Sequence, residues 1–214
     1  GRHFHSLFFI SFQFYFMNTT LAVTANTQQY IDLEDKYGAH NYHPLPVVLK
    51  RGEGVFLYDV DDKRYYDFLS GYSAVNQGHC HPKIIAALVD QAKKLTLTSR
   101  AFHSNLLGEY EKYITEYFGY DKVLPMNSGV EAVETAIKLC RKWGYEKKGI
   151  AENQVKIIVC DGNFHGRTIN VISFSSDPTA KTNYGPFNPG YESIPHNDLP
   201  ALEKALQDKN VAAF

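Results

Sequence analysis

The chain has 214 residues, enough for one large domain or for a small domain and part of another. Hydrophobic residues make up 44% and charged residues 21%, an ordinary balance for a soluble globular protein. A formal net charge of -1 excludes the basic field that gathers nucleic acid or an anionic membrane surface, so neither partner is expected.

At the start, Leu7 to Met17 is an apolar run that follows Arg2 and precedes Thr24-Ala25, a pattern resembling a signal-peptide cleavage site. It is too short to cross a membrane, which takes about 20 apolar residues. The chain begins at Gly1 and an initiator-type residue stands at Met17. The preferred reading is therefore an upstream or non-native extension over residues 1–16 and a mature start at Met17, with a signal peptide as the alternative. No arginine occurs from Met17 to Gln29, which makes a poor mitochondrial presequence.

Residues 18–45 are expected to form an irregular arm, because Pro44 and Pro46 block helix there. The runs Val55–Tyr58 and Arg64–Asp67 flank Asp61-Asp62-Lys63 and predict a hairpin. Pro82 opens a helix with Ile84, Ile85, Leu88 and Ala92 on one side. Another helix carries Leu106, Leu107, Tyr110, Ile114, Tyr117 and Phe118, and Gly119 is placed to end it.

Strands and helices then alternate. Val123 to Met126 predicts a short strand, with Pro125 marking its end or an edge position. Ser128 to Trp143 predicts a helix with Val130, Val133, Ile137 and Cys140 on one face. Val155 to Cys160 is continuously apolar, the mark of a parallel strand buried on both faces. A loop and short helix over 163–176, a strand at Tyr191–Ile194, a helix capped by Asn197 or Asp198 and running through Leu206, and a strand from Val211 complete the pattern. The fold class expected is α/β, with a mostly parallel sheet and helices on both faces. Residues 17–70 would form an N-terminal arm and hairpin, and residues 71–214 the first part of a larger domain. The strand begun at Val211 has no cap or turn after it, so the expectation is that the sequence is incomplete.

Cys80, Cys140 and Cys160 are odd in number and widely spaced, which argues against a disulfide framework or a structural zinc site. A reducing compartment fits, with cytoplasm preferred and the mitochondrial matrix as alternative. The cluster Gly78-His79-Cys80-His81-Pro82 has no second pair at ligand spacing, so it is read as a turn and helix cap and no metal site is assigned.

Two junctions are candidates for chemistry. Ser128 and Glu131 match a capping box at the start of a helix, and the free N–H groups and dipole of such an end suit a phosphate. Taken alone, Ser128 is better read as a plain helix cap. Gly162 to Thr168 follows the buried strand, where loops line the ligand crevice of an open α/β sheet. There Phe164 suits stacking on a planar ring and Arg167 suits a carboxylate, although an ordinary Gly-bounded loop has the same composition. Tyr42 and Tyr72 are candidate hydroxyl donors or simple packing residues.

These segments occur together, in order, in a known family. The stretches 37–46, 73–82, 95–102, 123–132, 162–168 and 197–203 closely resemble the N-terminal portion of ornithine aminotransferases, which are class-III pyridoxal-phosphate-dependent enzymes. The G-H-x-H-P turn and the S-G-x-E-A junction are shared across class III, whereas H-N-Y-H-P-L-P and T-L-T-S-R-A-F are more particular to the ornithine enzymes. The resemblance implies the fold of PLP-dependent transferases, the aspartate-aminotransferase-like fold type I. It implies transfer of the δ-amino group of L-ornithine to 2-oxoglutarate, giving glutamate 5-semialdehyde and glutamate. Acetylornithine or 4-aminobutyrate aminotransferase, or a catalytically silent fragment, are the alternatives.

Carried onto matching positions, Ser128, Gly129 and Val130 would hold the cofactor phosphate through backbone groups, and Phe164 would stack on the pyridine ring. Tyr42 and Arg167 would hold the substrate carboxylate, and Tyr72 would shape the pocket for ornithine. His165 stands where some members have tryptophan. In this family the Schiff-base lysine lies beyond the position matching Phe214, so no catalytic residue is assigned within the chain and the isolated 214 residues are expected to be inactive. A homodimer or higher homo-oligomer is expected for the full-length protein.

Overall fold

The computed structural model describes residues 23–214; the upstream extension, the Met17 start and the signal-like run lie outside the described residues. The chain forms two compact units that divide between Phe102 and His103.

In the first unit, α1 (Ala25–Tyr37) is followed by β1 (Leu49–Glu53), β2 (Phe56–Asp59), β3 (Arg64–Tyr66), the single turn α2 (Ser70–Ser73) and α3 (Pro82–Ala92). The helix α1 corrects the expected irregular arm, of which only the segment around the prolines stays irregular. Its apolar stripe is weak, so periodicity did not reveal it. Its start is set by polar contacts instead. The Thr24 hydroxyl oxygen accepts the Thr27 N–H at 3.0 Å, and Thr24, Asn26 and Thr27 side chains all donate to the Asp61 carboxylate at 2.6–3.0 Å. A helix cap and a hairpin turn therefore share one acid.

The expected hairpin is present and carries an extra antiparallel strand, β1, on its outer side. Its turn is organised by Asp59, which is buried. The Asp59 carboxylate accepts the N–H of Asp61 and of Lys63, both at 2.9 Å, and the Tyr65 hydroxyl at 2.8 Å. Burial pushes this carboxyl up, but the Tyr65 hydroxyl and the two backbone donors outweigh it and hold it below its ordinary value. The Tyr65 hydroxyl is pushed up to about 12 by burial and by the acid it serves.

In the second unit, α4 (Leu107–Phe118) ends at Gly119 in the left-handed conformation, with φ 73°, as expected for a glycine stop. The segment Val123–Met126 forms no strand, which corrects that expectation; Pro125 has no N–H to give a ladder, and Leu124 is exposed. Then come α5 (Gly129–Glu146), β4 (Lys156–Cys160), α6 (Ile169–Ile172), α7 (Pro178–Lys181), β5 (Tyr191–Ile194), α8 (Leu199–Ala205) and β6 (Val211–Ala213). The sheet order is β5-β4-β6 and both pairings are parallel.

Central strand β4 is buried on both sides, so side-chain alternation splits it between two cores. Ile157 and Val159 pack with Ile137, Val171 and Phe174, whereas Ile158 packs with Ile194, Ala205 and Val211. One core thus draws on α5 and α6 and the other on α8. Helix α5 lies close to the sheet at Gly144, where an added Cβ would meet Val155 Cγ2 at 2.7 Å and Ala212 Cβ at 3.2 Å.

Two stability outcomes follow from these contacts. Asp59→Ala removes the acceptor of three hydrogen bonds and lowers stability by about 2 kcal/mol, read as a lower urea midpoint; Asp59→Asn keeps one carbonyl acceptor and loses less. Because the folded carboxyl sits below its unfolded value, its stabilisation is complete above pH of about 4 and is lost as pH falls through the folded value. The acid-side loss is therefore smaller in both variants than in the wild type. Gly144→Val overpacks the α5–sheet contact and costs about 2–3 kcal/mol, measurable as a drop in melting temperature.

Candidate functional site

The site is built where α5 begins and where the loop after β4 returns. Ser128 is extended, with φ -137° and ψ 163°, and its hydroxyl oxygen accepts the Glu131 N–H at 3.3 Å. The Ser128 carbonyl accepts the Ala132 N–H at 3.1 Å. The N–H groups of Gly129 and Val130 have no acceptor inside the helix, because the first turn has no preceding carbonyls. At Gly129 an added Cβ would meet nothing within 4 Å, so the first residue of the helix is not packed against other side chains.

One contact brings the two predicted junctions together. At Gly166, with φ 119°, an added Cβ would stand 2.5 Å from Val130 Cγ2 and 2.7 Å from Val130 Cβ. Only glycine lets the loop pass this close to the first turn of α5. Val130 also packs against the apolar core, so it offers its backbone and not its side chain to anything above the helix.

The loop is ordered from within by Asn163. Its amide Nδ2 donates to the carbonyls of Cys160 at 2.7 Å and Phe174 at 3.0 Å. That orientation leaves Oδ1 facing His165 Nδ1 at 3.0 Å, so Nδ1 is the nitrogen that carries hydrogen there. The His165 ring meets Phe174 edge-on at 5.4 Å. Phe164, beside His165 in the chain, is 76% exposed, as a ring offered for stacking would be. Arg167 is exposed on the stretch between Gly166 and α6.

Ser128, Gly129, Val130, Phe164 and Arg167 thus occupy two adjoining segments of the second unit. Tyr42 and Tyr72 are carried by the first unit. Tyr42 lies in the irregular stretch between α1 and β1 and is 54% exposed. Tyr72 sits in α2, which is a left-handed turn: φ is 50° at Ser70, 57° at Gly71, 57° at Tyr72 and 69° at Ser73. Three of these four residues have a Cβ, so the turn must be held from outside. Asp67 does this, accepting the N–H of Ser70 at 2.8 Å and of Leu69 at 3.0 Å while its other oxygen meets His79 Nε2 at 2.7 Å. Those backbone donors, with His79, hold the Asp67 carboxyl below its ordinary value. His79 is therefore engaged in a structural pair within the G-H-x-H-P turn. No group of three or more His, Cys, Asp or Glu among the described residues is arranged to hold a metal.

A polar network behind the loop escaped the sequence reading. Glu134, Arg141, Asn170 and Tyr191 link α5, α6 and β5. The signal for it was present: Glu134 stands four residues after Val130 and three before Ile137, inside the apolar stripe of α5. A half-buried charge in such a place needs a partner.

Residues 37–214 match the family model described as aminotransferase class-III. This chain belongs to the class-III aminotransferase family. The ornithine aminotransferase, mitochondrial, of Rattus norvegicus is 60% identical over 204 residues, covering 92% of this chain and 46% of that protein. An ornithine aminotransferase structure from Toxoplasma gondii, described as having partial occupancy of PLP at its active site, superposes with a TM-score of 0.87 at 47% identity. It covers 88% of this chain and 44% of that one. The acetylornithine aminotransferase structure from Elizabethkingia anophelis gives a TM-score of 0.76 at 65% identity, covering 89% and 46%. The chain spans about half the length of the curated relatives it matches. The architecture is that of the PLP-dependent aminotransferases, with a parallel sheet and helices on its faces.

In this class-III chain the loop–helix contact at Gly166 is the most sensitive point. Gly166→Ala places a methyl group against Val130 and an L side chain at φ 119°, costing about 2–4 kcal/mol. The double variant Gly166→Ala/Val130→Ala removes the clash with Val130 Cγ2 but keeps that with Cβ at 2.7 Å, so it recovers only part of the loss and its urea midpoint lies between that of Gly166→Ala and that of Val130→Ala.

Proposed function

We propose that the full-length protein is an ornithine δ-aminotransferase that moves the δ-amino group of L-ornithine to 2-oxoglutarate, giving glutamate 5-semialdehyde and glutamate. The observation that carries this reading is the Gly166–Val130 packing, which sets the first turn of α5, whose N–H groups lack intrahelical acceptors, beside the loop bearing Phe164 and Arg167. A phosphate seat, an exposed aromatic ring and a guanidinium on adjoining segments suit a phosphorylated planar cofactor and a carboxylate substrate. The names and identities of the rat and Toxoplasma relatives support ornithine as that substrate.

Pyridoxal 5'-phosphate fits these residues and supplies the electron sink for amino transfer when bound. Ser128, Gly129 and Val130 would hold its phosphate with the backbone donors and dipole of α5, and Phe164 would supply an aromatic face for its ring. Arg167 pairs with the substrate carboxylate, and Tyr42 is the first unit's hydroxyl donor for substrate recognition. Tyr72 limits the length of side chain admitted. The parent protein works as a homodimer or higher homo-oligomer, without nucleic-acid or membrane partners; no described helix is long and apolar enough to cross a membrane. The three free thiols suit a reducing compartment, cytoplasmic or mitochondrial matrix, and the rat relative's name favours the latter.

Acetylornithine is the second reading, supported by the 65% identical Elizabethkingia structure. Steady-state kinetics of the full-length protein separate the two. Ornithine is expected to give the higher kcat/KM, and a preference for acetylornithine overturns the first reading. Arg167→Ala is expected to lower kcat/KM for ornithine about 100-fold, equivalent to ~2.7 kcal/mol for a charge-assisted pair. It affects 1,4-diaminobutane, which has no carboxylate, far less. Tyr42→Phe and Tyr72→Ile are expected to lower ornithine turnover about 5–10-fold, in the range of one lost hydrogen bond or packing contact, with 2-oxoglutarate use less affected.

A further inference from the structure

Glu134 uses both oxygens of its carboxylate on the segment that follows Arg167. Oε1 accepts the hydroxyl of Thr168, and Oε2 accepts the amide of Asn170 at 2.7 Å. Thr168 stands at the N-cap position of α6, with φ -75° and ψ 158°, yet its side chain makes no capping bond there. The hydroxyl that would ordinarily serve its own helix is given to α5 instead. Helix α6 has four residues, too few to hold itself by helical cooperativity, so its placement depends on outside anchors.

Asn170 extends the anchor. Its Oδ1 accepts the Tyr191 hydroxyl at 2.7 Å and the Asn188 amide at 3.1 Å, while its own amide donates to Glu134. Arg141 donates to the Tyr191 oxygen at 3.1 Å and to the Pro189 carbonyl at 3.1 Å. Arg167 is therefore bracketed. On its N-terminal side Gly166 is pressed against Val130, and on its C-terminal side Thr168 is tied to Glu134, both on the first two turns of α5.

We infer that Glu134 is the positioning residue for Arg167: it fixes the backbone from which the guanidinium reaches the substrate carboxylate, without touching substrate itself. The inference rests on the reading of Arg167 as that carboxylate's partner. Loss of Glu134 leaves Arg167 charged and present but widens the range of positions it samples, which weakens substrate binding more than the reacting step.

The test is a double-mutant cycle in the full-length holoenzyme, with ornithine as the varied substrate. Glu134→Ala is expected to raise KM for ornithine about tenfold and to lower kcat less than about threefold. In an Arg167→Ala background the same change is expected to alter KM less than about twofold, because the group it positions is gone. Glu134→Gln keeps one acceptor for Thr168, so its KM is expected to fall between wild type and Glu134→Ala, and it carries the same cycle where the alanine variant is insoluble. An equal KM effect in both backgrounds, a fall in kcat without a KM change, or no effect overturns the inference. A wild-type protein that leaves ornithine unreacted overturns the functional reading beneath it, and is told apart because the variants are then never compared.

Discussion

Strand β4 is the constraint on which the second unit depends. Its central residues are apolar on both faces, and Ile158 is only 1% exposed, so the strand is stable only with a helix layer on each side. That demand places α5 over Ile157 and Val159, and α8 over Ile158. It also determines where the chain can carry chemistry. Side chains along the strand are consumed by packing, and the first backbone free to serve a ligand is the loop after Cys160. The start of α5 is brought to the same region because α5 must cover the same strand.

Closeness between loop and helix is then a matter of volume. Glycine at 166 removes the one atom that would hold the loop off Val130, and the left-handed φ there turns the chain toward α6. Packing alone would leave a four-residue helix loosely seated. The bonds from Glu134 to Thr168 and Asn170 supply the direction that apolar contact lacks, since hydrogen bonds depend on angle and hydrophobic burial does not. The Gly166 contact and the Glu134 clamp therefore do different jobs. The first sets how near the loop comes, and the second sets how it faces.

Much of this was legible in the chain. The run Val155–Cys160, the Ser128 cap and the glycine stop at 119 declare themselves through composition or spacing and are found as expected, and of the two candidate caps Asn197 and Asp198 the chain uses Asp198. What escaped had a different origin. Helix α1 is polar and is fixed by the distant Asp61, so no local period marks it. Strand β1 contains Lys50, Arg51 and Glu53 and is mostly exposed, so no apolar alternation marks it; it pairs with β2 through its backbone and through Arg51, which lies over the Tyr58 ring at 3.3 Å. The segment at 123–126 has strand composition but makes no ladder. For α1 the deciding contact joins residues more than thirty positions apart, and for β1 and 123–126 the outcome depends on ladder pairing, neither of which a reading by local pattern supplies.

The candidate site divides along the same line. Phosphate seat, ring and guanidinium are marked by residue type, because chemistry demands a glycine turn, an aromatic and an arginine. The residues that brace the segments carrying candidate site residues, in each unit, are marked only by being out of place. Glu134 interrupts an apolar stripe, Asp67 is half-buried beside a turn of left-handed residues, and Thr168 stands at a cap it does not make. An acid in an apolar setting costs solvation that only specific donors restore, so it persists where its geometry is needed. Polar residues at odds with their local pattern are thus a practical guide to the supports of a site, and in this chain they lead from Arg167 back through Thr168 to one carboxylate on α5.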